Sequence, residues 1–271
     1  MNYTTLIERA IVASIHAGKE ILKVYEGEII VEMKDDKSPL TEADKRSNSE
    51  IVKFLESTTL PVLSEEGKSI DYTDRNNWDL FWLVDPLDGT KEFIKRNGEF
   101  TVNIALIKNQ TPVGGVIYAP VINDLYFSIE GVGAYKLNCP IDELLTLISN
   151  ENFINSLIAK SNKLPIAKGD RIFTVVASRS HMSEETTAFI DQLKSQHGEI
   201  NLISKGSSLK LCLVAEGAAE VYPRFAPTME WDTAAGHAIA LGAGLTVRHT
   251  DSNEPLVYNK ENLLNPWFVV E

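Results

Sequence analysis

The sequence predicts a mixed protein, between α+β and α/β, built as five alternating layers in a helix–sheet–helix–sheet–helix sandwich. Two observations indicate this architecture. Helical spacing of apolar residues near the N-terminus gives way to a run of short β-rich segments, and the second half of the chain then alternates strands with helices. With 271 residues, 44% of them hydrophobic, the chain can form one large domain or two smaller domains that share an interface.

Helices and then strands are predicted in the first half of the chain. Apolar residues at helical spacing over residues 5–25 predict an amphipathic helix, and a polar, loop-like stretch at residues 34–39 precedes a second helix that begins near Thr41. Short segments rich in β-forming residues follow, bounded by Gly, Pro, Asn and Asp. These predicted strands cover residues 60–63, 81–84, 101–107, 115–118, 125–129 and 132–135.

The second half of the chain alternates the two kinds of element. Predicted strands cover residues 172–177, 201–204, 220–222, 245–247 and 267–270, and predicted helices cover residues 183–195, 208–216 and 232–241. Residues from 136 to about 170 show no sharp period and are the best candidate for a domain junction. We therefore expect an N-terminal α+β domain over residues 1–163 and a C-terminal α/β domain over residues 164–271.

Charge and cysteine content restrict the partners and the compartment. The net charge of −12 argues against nonspecific nucleic-acid binding, which needs a basic surface. Cys139 and Cys212 lack metal-site spacing and are interpreted as free thiols in a reducing compartment. No apolar stretch reaches the roughly 18 residues of a membrane span, and no basic segment precedes an apolar run at the N-terminus. We expect a cytoplasmic protein; weak peripheral attachment to the cytoplasmic side of the inner membrane, and the choice between monomer and homodimer, stay open.

The strongest chemical signal is the segment WLVDPLDGT at residues 82–90. An apolar run ends at Asp85, turns through Pro86 and presents Asp88 three residues after the first carboxylate. With the carbonyl oxygen of Leu87 between them, these carboxylates form the oxygen-rich ligand set that hard cations such as Mg2+ take. The alternative is an ordinary pair of Asp-Pro and Asp-Gly turns, but the combination of two carboxylates, a proline, a glycine and a hydroxyl in this order favours a site.

The same segment ends in a candidate phosphate-binding turn. Gly89 and Thr90 stand at the entry to a short helix-like stretch at residues 91–95. Their backbone N–H groups could receive a phosphate there, because the start of a helix has unpaired donors and a positive dipole end.

Two further acidic residues could complete the ligand set. Glu65 follows the predicted strand at residues 60–63, where adjacent glutamates are otherwise solvated charge on a loop. Asp232 starts a helix of small residues, where it could act only as the N-cap, or could cap and still direct an oxygen at a metal.

Asp44 has two interpretations. It could return the hydrogen bond of a capping box in which Thr41 caps the second helix. It could instead be a carboxylate that, with the hydroxyl of Thr90, orients and deprotonates a water molecule at the metal.

Together these segments resemble the inositol-monophosphatase superfamily. Its two marks, D-P-[aliphatic]-D-G-[ST] and W-D-x-A-A-G, stand here at residues 85–90 and 231–236. The likeness is greater to one branch, the bacterial 3'(2'),5'-bisphosphate nucleotidases. It covers nearly the whole chain but fades over residues 137–170. The segments that carry the branch resemblance are residues 38–44, 91–103, 116–120, 178–181, 206–210 and 222–224.

The resemblance implies the sugar-phosphatase type of layered sandwich and assigns roles to residues. The implied metal ligands are Glu65, Asp85, the Leu87 carbonyl, Asp88 and Asp232. The implied catalytic, water-activating pair is Asp44 and Thr90. The phosphate is cradled by the backbone of residues 87–90. The rest of the substrate-binding set is His181, Ser207, Lys210 and Arg224, with Ser208 open as an alternative to Ser207.

The implied activity is Mg2+-dependent hydrolysis of adenosine 3',5'-bisphosphate to AMP and phosphate. Two or three ions would activate the attacking water without a covalent phosphoenzyme, and Li+ would inhibit. Whether the sulfated analogue, 3'-phosphoadenosine 5'-phosphosulfate, is also a substrate stays open.

Two other functions remain as alternatives. One is an inositol- or sugar-phosphate phosphatase with the same metal core, which would not need Lys210 and Arg224 as a clamp for a second phosphate. The other is a noncatalytic metal- or nucleotide-binding regulator, which would not need the pair Asp44 and Thr90.

Overall fold

Two helices and a hairpin form the N-terminal part of the protein, which we describe from a computed structural model over residues 2–34, 38–166, 171–177 and 183–271. Helix α1 (Tyr3–Tyr25) begins after the cap residue Asn2, and α2 (Glu42–Leu55) begins after Thr41. Both predicted helices are therefore confirmed. Strands β1 (Val31–Met33) and β2 (Pro39–Thr41) pair antiparallel between them, a hairpin that the polar stretch at residues 34–39 did not predict.

A seven-stranded sheet follows, in which the strands lie in chain order. The first pair is parallel and the others are antiparallel. The strands are β3 (Val62–Ser64), β4 (Leu80–Asp88), β5 (Thr101–Lys108), β6 (Thr111–Ala119), β7 (Asp124–Ile129), β8 (Gly133–Asn138) and β9 (Asn162–Lys163). The 3-10 turn Glu56–Thr58 and the short helices α3 (Tyr72–Arg75) and α4 (Thr90–Ile94) lie between these strands.

Residues along β4 alternate between two hydrophobic cores, as a strand buried on both faces requires. Trp82 and Val84 pack in the core that includes the apolar face of α1. Phe81 and Leu83 pack in the core on the opposite face. The sheet is therefore covered on both sides, which accounts for its continuous apolar sequence.

The segment predicted to be irregular contains two helices, so that expectation is wrong. α5 (Ile141–Ile148) and α6 (Phe153–Lys160) precede β9 and bury Leu144 and Leu157 completely. Each helix has only eight residues, about two turns, so neither shows a long periodic pattern. The domain boundary between residues 163 and 164 stays a prediction.

The second half of the chain supplies the remaining layers. Its elements are β10 (Phe173–Val176), α7 (Glu184–His197), β11 (Ile200–Ile203), α8 (Leu209–Ala215), β12 (Tyr222–Arg224), α9 (Glu230–Gly242), β13 (Val247–His249) and β14 (Phe268–Val270). β10 pairs parallel with β11, β14 lies between β12 and β13, and a bridge joins Val175 to Val221. Ile190 of α7 packs against this bridge.

The five-layer prediction is confirmed: α1 and α2, the large sheet, α8 and α9, the strands of the second half, and α7. Two predicted strands lie two residues too early in the chain. Leu245, for example, donates its N–H to Ala240 O at 2.9 Å and belongs to the end of α9. No helix among the described residues combines the length and the apolar character needed to cross a bilayer.

Gly115 allows α9 to lie directly against the large sheet. A Cβ atom at this position of β6 would lie 2.6 Å from the carbonyl oxygen of Ala235 and 2.9 Å from the Cβ of Ala238. Gly115→Ala should therefore destabilise the fold by about 1–3 kcal/mol, the usual effect of overpacking, as measured by denaturant unfolding. Gly27→Ala is the matched control, because its nearest contact would be Val24 O at 3.6 Å. Equal stability of the two variants would contradict the close packing.

Candidate active site

The turn at the end of β4 is built by an irregularity in the sheet. Asp85 pairs with Asn103 and Asp88 with Thr101, so β4 contains one more residue than β5 over this stretch. The extra residue falls beside Pro86, which has no N–H group for the ladder. Ser47 of α2 donates to Pro86 O at 2.6 Å and fixes the turn from below. The bulge places two carboxylates at the same end of one strand.

Three of the predicted ligands lie together although they come from separate parts of the chain. One oxygen from each of Glu65, Asp85 and Asp232 lies within 4.8 Å of the other two. Glu65 follows β3 and its N–H donates to Val84 O at 3.1 Å, while Asp232 lies in the first turn of α9. Asp85 is only 2% exposed. The fold thus concentrates negative charge where water has little access.

The pKa values show what this arrangement does to the carboxyl groups. Burial, followed by repulsion from Glu65 and Asp88, raises the pKa of Asp85 well above its usual range. Burial and the charge of Asp88 raise the pKa of Asp232 to about 8. Charged carboxylates are unfavourable here unless a cation compensates them. The residues therefore fit a hard metal ion, which the cluster could hold through its oxygen atoms.

Asp88 lies outside this group of three and makes its own contacts. Its Oδ2 accepts the N–H of Ser208 at 2.5 Å and lies 3.4 Å from Asn103 Nδ2. Burial raises the pKa of Asp88 to about 6, although the charge of Lys210 and the Ser208 bond oppose the rise. Asp88 thus connects the carboxylate cluster to the loop before α8.

Lys34 is a site residue that the sequence interpretation missed. Its ammonium donates to Glu65 Oε1 at 2.8 Å and also to Glu66. Burial disfavours the charge, yet the hydrogen bonds to both glutamates outweigh this effect and raise the pKa of Lys34. A lysine cation therefore compensates part of the negative charge at the edge of the cluster.

Asp44 satisfies both of its predicted contacts at once. Oδ2 accepts the N–H and the hydroxyl of Thr41, at 2.7 and 2.6 Å, which completes the capping box of α2. Oδ1 accepts the hydroxyl of Thr90 at 3.2 Å. Burial raises the pKa of Asp44, while the bonds from Thr41 and Thr90 oppose the rise. The carboxylate joins the start of α2 to the turn after β4.

Asp232 is not the N-cap of α9, so that interpretation is wrong. The cap is Met229, and Asp232 is at the third helical position, where its Oδ2 accepts the Met229 N–H at 2.7 Å. The sequence could not place this boundary, because Met is not among the favoured capping residues. The capping contact uses only one carboxylate oxygen of Asp232.

A cleft of about 760 Å³ adjoins the carboxylates. It is lined by acidic, cationic and small residues, among them Asp88, Gly89, Ser207, Lys210, Arg224 and Asp232. Its lining also includes three lysines that sequence reasoning missed, Lys91, Lys95 and Lys205. The predicted residue His181 lies outside the described residues.

Two neighbouring serines have different surroundings. The hydroxyl of Ser207 is buried without a hydrogen-bond partner in the described part of the chain. The hydroxyl of Ser208 lies 2.8 Å from both Thr101 Oγ1 and Asn103 Oδ1. Ser208 is thus committed to the sheet, whereas Ser207 retains an unused hydroxyl in the lining of the cleft.

The two predicted clamp cations lie on the same cleft. Lys210 is buried, and burial lowers the pKa of its ammonium to about 8 although Asp88 opposes the fall. It donates to Ser207 O at 2.8 Å. Arg224 donates through Nη2 to Pro227 O at 3.1 Å, and its Nε is buried without a partner among the residues that the structure describes. Both side chains keep N–H groups for a further acceptor.

The chain belongs to the inositol monophosphatase family. The sequence profile of that family matches residues 2–267, nearly the whole chain, and the layered fold and the acidic cluster agree with it. The resemblance inferred from the two sequence motifs is thereby confirmed.

Relatives place the chain more narrowly. It is 44% identical over 270 residues to the 3'(2'),5'-bisphosphate nucleotidase CysQ of Salmonella typhimurium, covering 98% of this chain and 99% of that protein. The crystal structure of CysQ from Bacteroides thetaiotaomicron is 53% identical, with a TM-score of 0.89 and coverage of 99% of this chain and 97% of that one. The extragenic suppressor protein suhB of Bartonella henselae, at 20% identity and a TM-score of 0.72 over 98% of this chain and 93% of that one, shares the fold.

Neutralising one buried carboxylate tests whether the cluster is short of positive charge. In chelator, Asp85→Asn should raise the melting temperature by at least about 2 °C, because about 1 kcal/mol shifts it by 2–4 °C in a chain of roughly this size. The same variant should lose most of the thermal stabilisation that divalent cations give the wild type. The exposed Asp191→Asn is the control and should change neither value. A lower melting temperature in chelator, with an unchanged response to cations, would contradict the charge argument.

Proposed function

We propose that this protein is a Mg2+-dependent 3'(2'),5'-bisphosphate nucleotidase that hydrolyses adenosine 3',5'-bisphosphate to AMP and phosphate. One observation carries the proposal: a single cleft is lined both by the acidic residues Asp88 and Asp232 and by the cations Lys210 and Arg224. A substrate with two phosphates needs one group at a metal site and the other at a cationic site. The relatives named CysQ, at 44% identity and above, support the same activity.

The proposed metal ligands are Glu65, Asp85, Asp88 and Asp232, with the Leu87 carbonyl as a neutral oxygen. The four carboxylates carry about −4, and two or three Mg2+ ions would reverse that sign, so a phosphate dianion is attracted. When bound, the ions supply Lewis-acid activation of water and neutralise the leaving oxygen.

Asp44 and Thr90 are the proposed water-activating pair. The 3.2 Å hydrogen bond between Thr90 Oγ1 and Asp44 Oδ1 commits the threonine proton to the carboxylate. The threonine oxygen can then accept a proton from the attacking water, and Asp44 stabilises the transfer as the base. The bond from Thr41 holds the carboxylate in place for this role.

The backbone of residues 87–90 is proposed to bind the phosphate that is cleaved. Gly89 has φ of +93°, in the left-handed region that favours glycine. A Cβ atom there would also lie 3.3 Å from both Glu99 O and the Cβ of Ser207. Glycine therefore permits the turn that precedes α4 and keeps the floor of the cleft open.

Lys210 and Arg224 are proposed to hold the phosphate that is not cleaved, while Ser207 and His181 support the nucleoside end. The unused Nε of Arg224 and the unused hydroxyl of Ser207 support these roles. Lys91, Lys95 and Lys205 add positive charge around the cleft. An acidic protein can thus attract a polyanion at one place on its surface.

The alternatives explain fewer of these features. An inositol- or sugar-phosphate phosphatase has no second phosphate for Lys210 and Arg224 to bind. A noncatalytic binder has no use for the bond between Asp44 and Thr90. The use of 3'-phosphoadenosine 5'-phosphosulfate, the number of ions and the choice between monomer and homodimer stay predictions.

Phosphate release with Mg2+ distinguishes these functions. We expect rapid release from adenosine 3',5'-bisphosphate, slower release from adenosine 3'-monophosphate and inositol 1-phosphate, and none in excess chelator. A preference for inositol 1-phosphate would favour the first alternative. The absence of release from all three substrates by folded, Mg2+-loaded protein would favour the second.

Arg224→Ala then separates specificity from folding. A charge-assisted contact with phosphate contributes on the order of 1.5–3 kcal/mol. The variant should therefore lower kcat/KM for the bisphosphate by roughly ten- to a hundredfold and leave adenosine 3'-monophosphate nearly unaffected. Equal losses on both substrates would mean that Arg224 supports the fold or the metal site instead.

Asp44→Asn separates the capping role from the catalytic one. Loss of the cap alone should lower stability by about 1 kcal/mol, whereas loss of the base should lower kcat by about a hundredfold or more. Asn2→Ala, which removes the 2.8 Å cap contact of α1, provides the control with a similar loss of stability and normal kcat. If the two variants had the same kcat, Asp44 would be structural only.

A further inference from the structure

A segment near the C-terminus, outside every motif used above, runs along the first turn of α9. We call residues 258–265 the strap. Its backbone contacts that turn directly: Glu230 N–H donates to Leu263 O at 2.9 Å, and Asn265 N–H donates to Thr228 O at 2.8 Å. The turn it contacts is the one that presents Asp232 to the carboxylate cluster.

The first grip of the strap is on Glu230, which is completely buried. Its carboxylate accepts the N–H of Asn259 at 2.5 Å, the N–H of Lys260 at 3.0 Å and the ammonium of Lys260 at 2.6 Å. A buried carboxylate is tolerated when donors satisfy it in this way. Glu230 is thereby fixed two residues before Asp232.

The second grip is the side-chain amide of Asn265. Its Nδ2 lies 2.8 Å from Met229 O and 3.0 Å from Thr233 Oγ1, so it spans the residues on both sides of Glu230 and Asp232. Met229 in turn donates its N–H to Asp232 Oδ2. The residue that orients Asp232 is therefore itself held by Asn265.

Arg75 anchors the strap to the first half of the chain. This guanidinium is 3% exposed and donates to Asn259 Oδ1 at 2.7 Å, to Lys260 O at 2.8 Å and to Glu261 O at 3.1 Å. Asn259 returns a bond to Arg75 O at 2.7 Å. The strap is thus attached at α3 as well as at α9, so it can transmit a fixed position from one half of the protein to the other.

We propose that the strap is a positioning element for the metal site, with Glu230 and Asn265 as its positioning residues. They set the first turn of α9 so that the Asp232 oxygen not used in capping faces Glu65 and Asp85. The proposal rests on the metal site of the proposed function. Partners that orient metal ligands typically change metal affinity by 10- to 100-fold when they are removed.

Metal binding by chelator-treated protein tests the proposal without any substrate. Glu230→Gln and Asn265→Ala should each weaken Mn2+ binding, measured by calorimetry and electron paramagnetic resonance, by roughly ten- to a hundredfold. Unchanged Mn2+ affinity in both folded variants would overturn the proposal. Glu230→Gln should fold, because the Lys260 side chain is 26% exposed and its ammonium can turn to water; Asn265→Ala provides the same comparison if it does not.

A double-mutant cycle shows whether the effect passes through Asp232. In an Asp232→Asn background, Glu230→Gln should weaken Mn2+ binding little further, because the ligand that it positions is already gone. An equal weakening in both backgrounds would mean a general effect on the fold and would overturn the proposal. Leu157→Ala in the remote helix α6 should leave Mn2+ affinity unchanged despite its loss of stability.

These outcomes are independent of the substrate assignment. If phosphate release failed but the coupling between Glu230 and Asp232 held, the strap proposal would stand and the proposed function would not. If wild-type protein bound no Mn2+ at all, both would fall.

Discussion

Mutual repulsion among buried carboxylates is the constraint on which the rest of the structure depends. Glu65, Asp85 and Asp232 come from three distant parts of the chain, yet their oxygens lie within 4.8 Å of one another. Like charges so close together oppose folding unless the surrounding structure holds them. The large sheet holds Glu65 and Asp85 on its first two strands, and the close approach of α9 at Gly115 brings Asp232 to them. The two cores on either side of the sheet supply the burial that offsets this repulsion.

Positive charge is distributed to match. Lys34 reaches the edge of the cluster at Glu65, while Lys210 and Arg224 lie on the cleft on the other side of Asp88. A chain with a net charge of −12 therefore contains a local surface suited to a polyanion. The proposed chemistry follows from this separation, since one phosphate is held where metal ions would compensate the carboxylates and the other where side-chain cations are already present.

Local sequence predicted the parts of the site that are built locally. The Asp85 to Thr90 turn and the Thr41–Asp44 capping box each lie within a few residues, so their chemistry could be read from spacing. Contacts between distant residues could not be predicted in this way. Lys34 and Glu65 are 31 residues apart, and Arg75 and Asn259 are 184 apart. The helices α5 and α6 escaped prediction because about two turns of helix provide too few apolar positions to reveal a period.

Anomalous diffraction from crystals grown with Mn2+ tests the central claim most directly, because Mn2+ takes the same oxygen ligands as Mg2+. The account predicts an anomalous peak coordinated by Glu65, Asp85 and Asp232 together, with loss of that peak in Asp85→Asn crystals. Saturating Mn2+ that bound only elsewhere, and left these three carboxylates without a metal ligand among them, would contradict it.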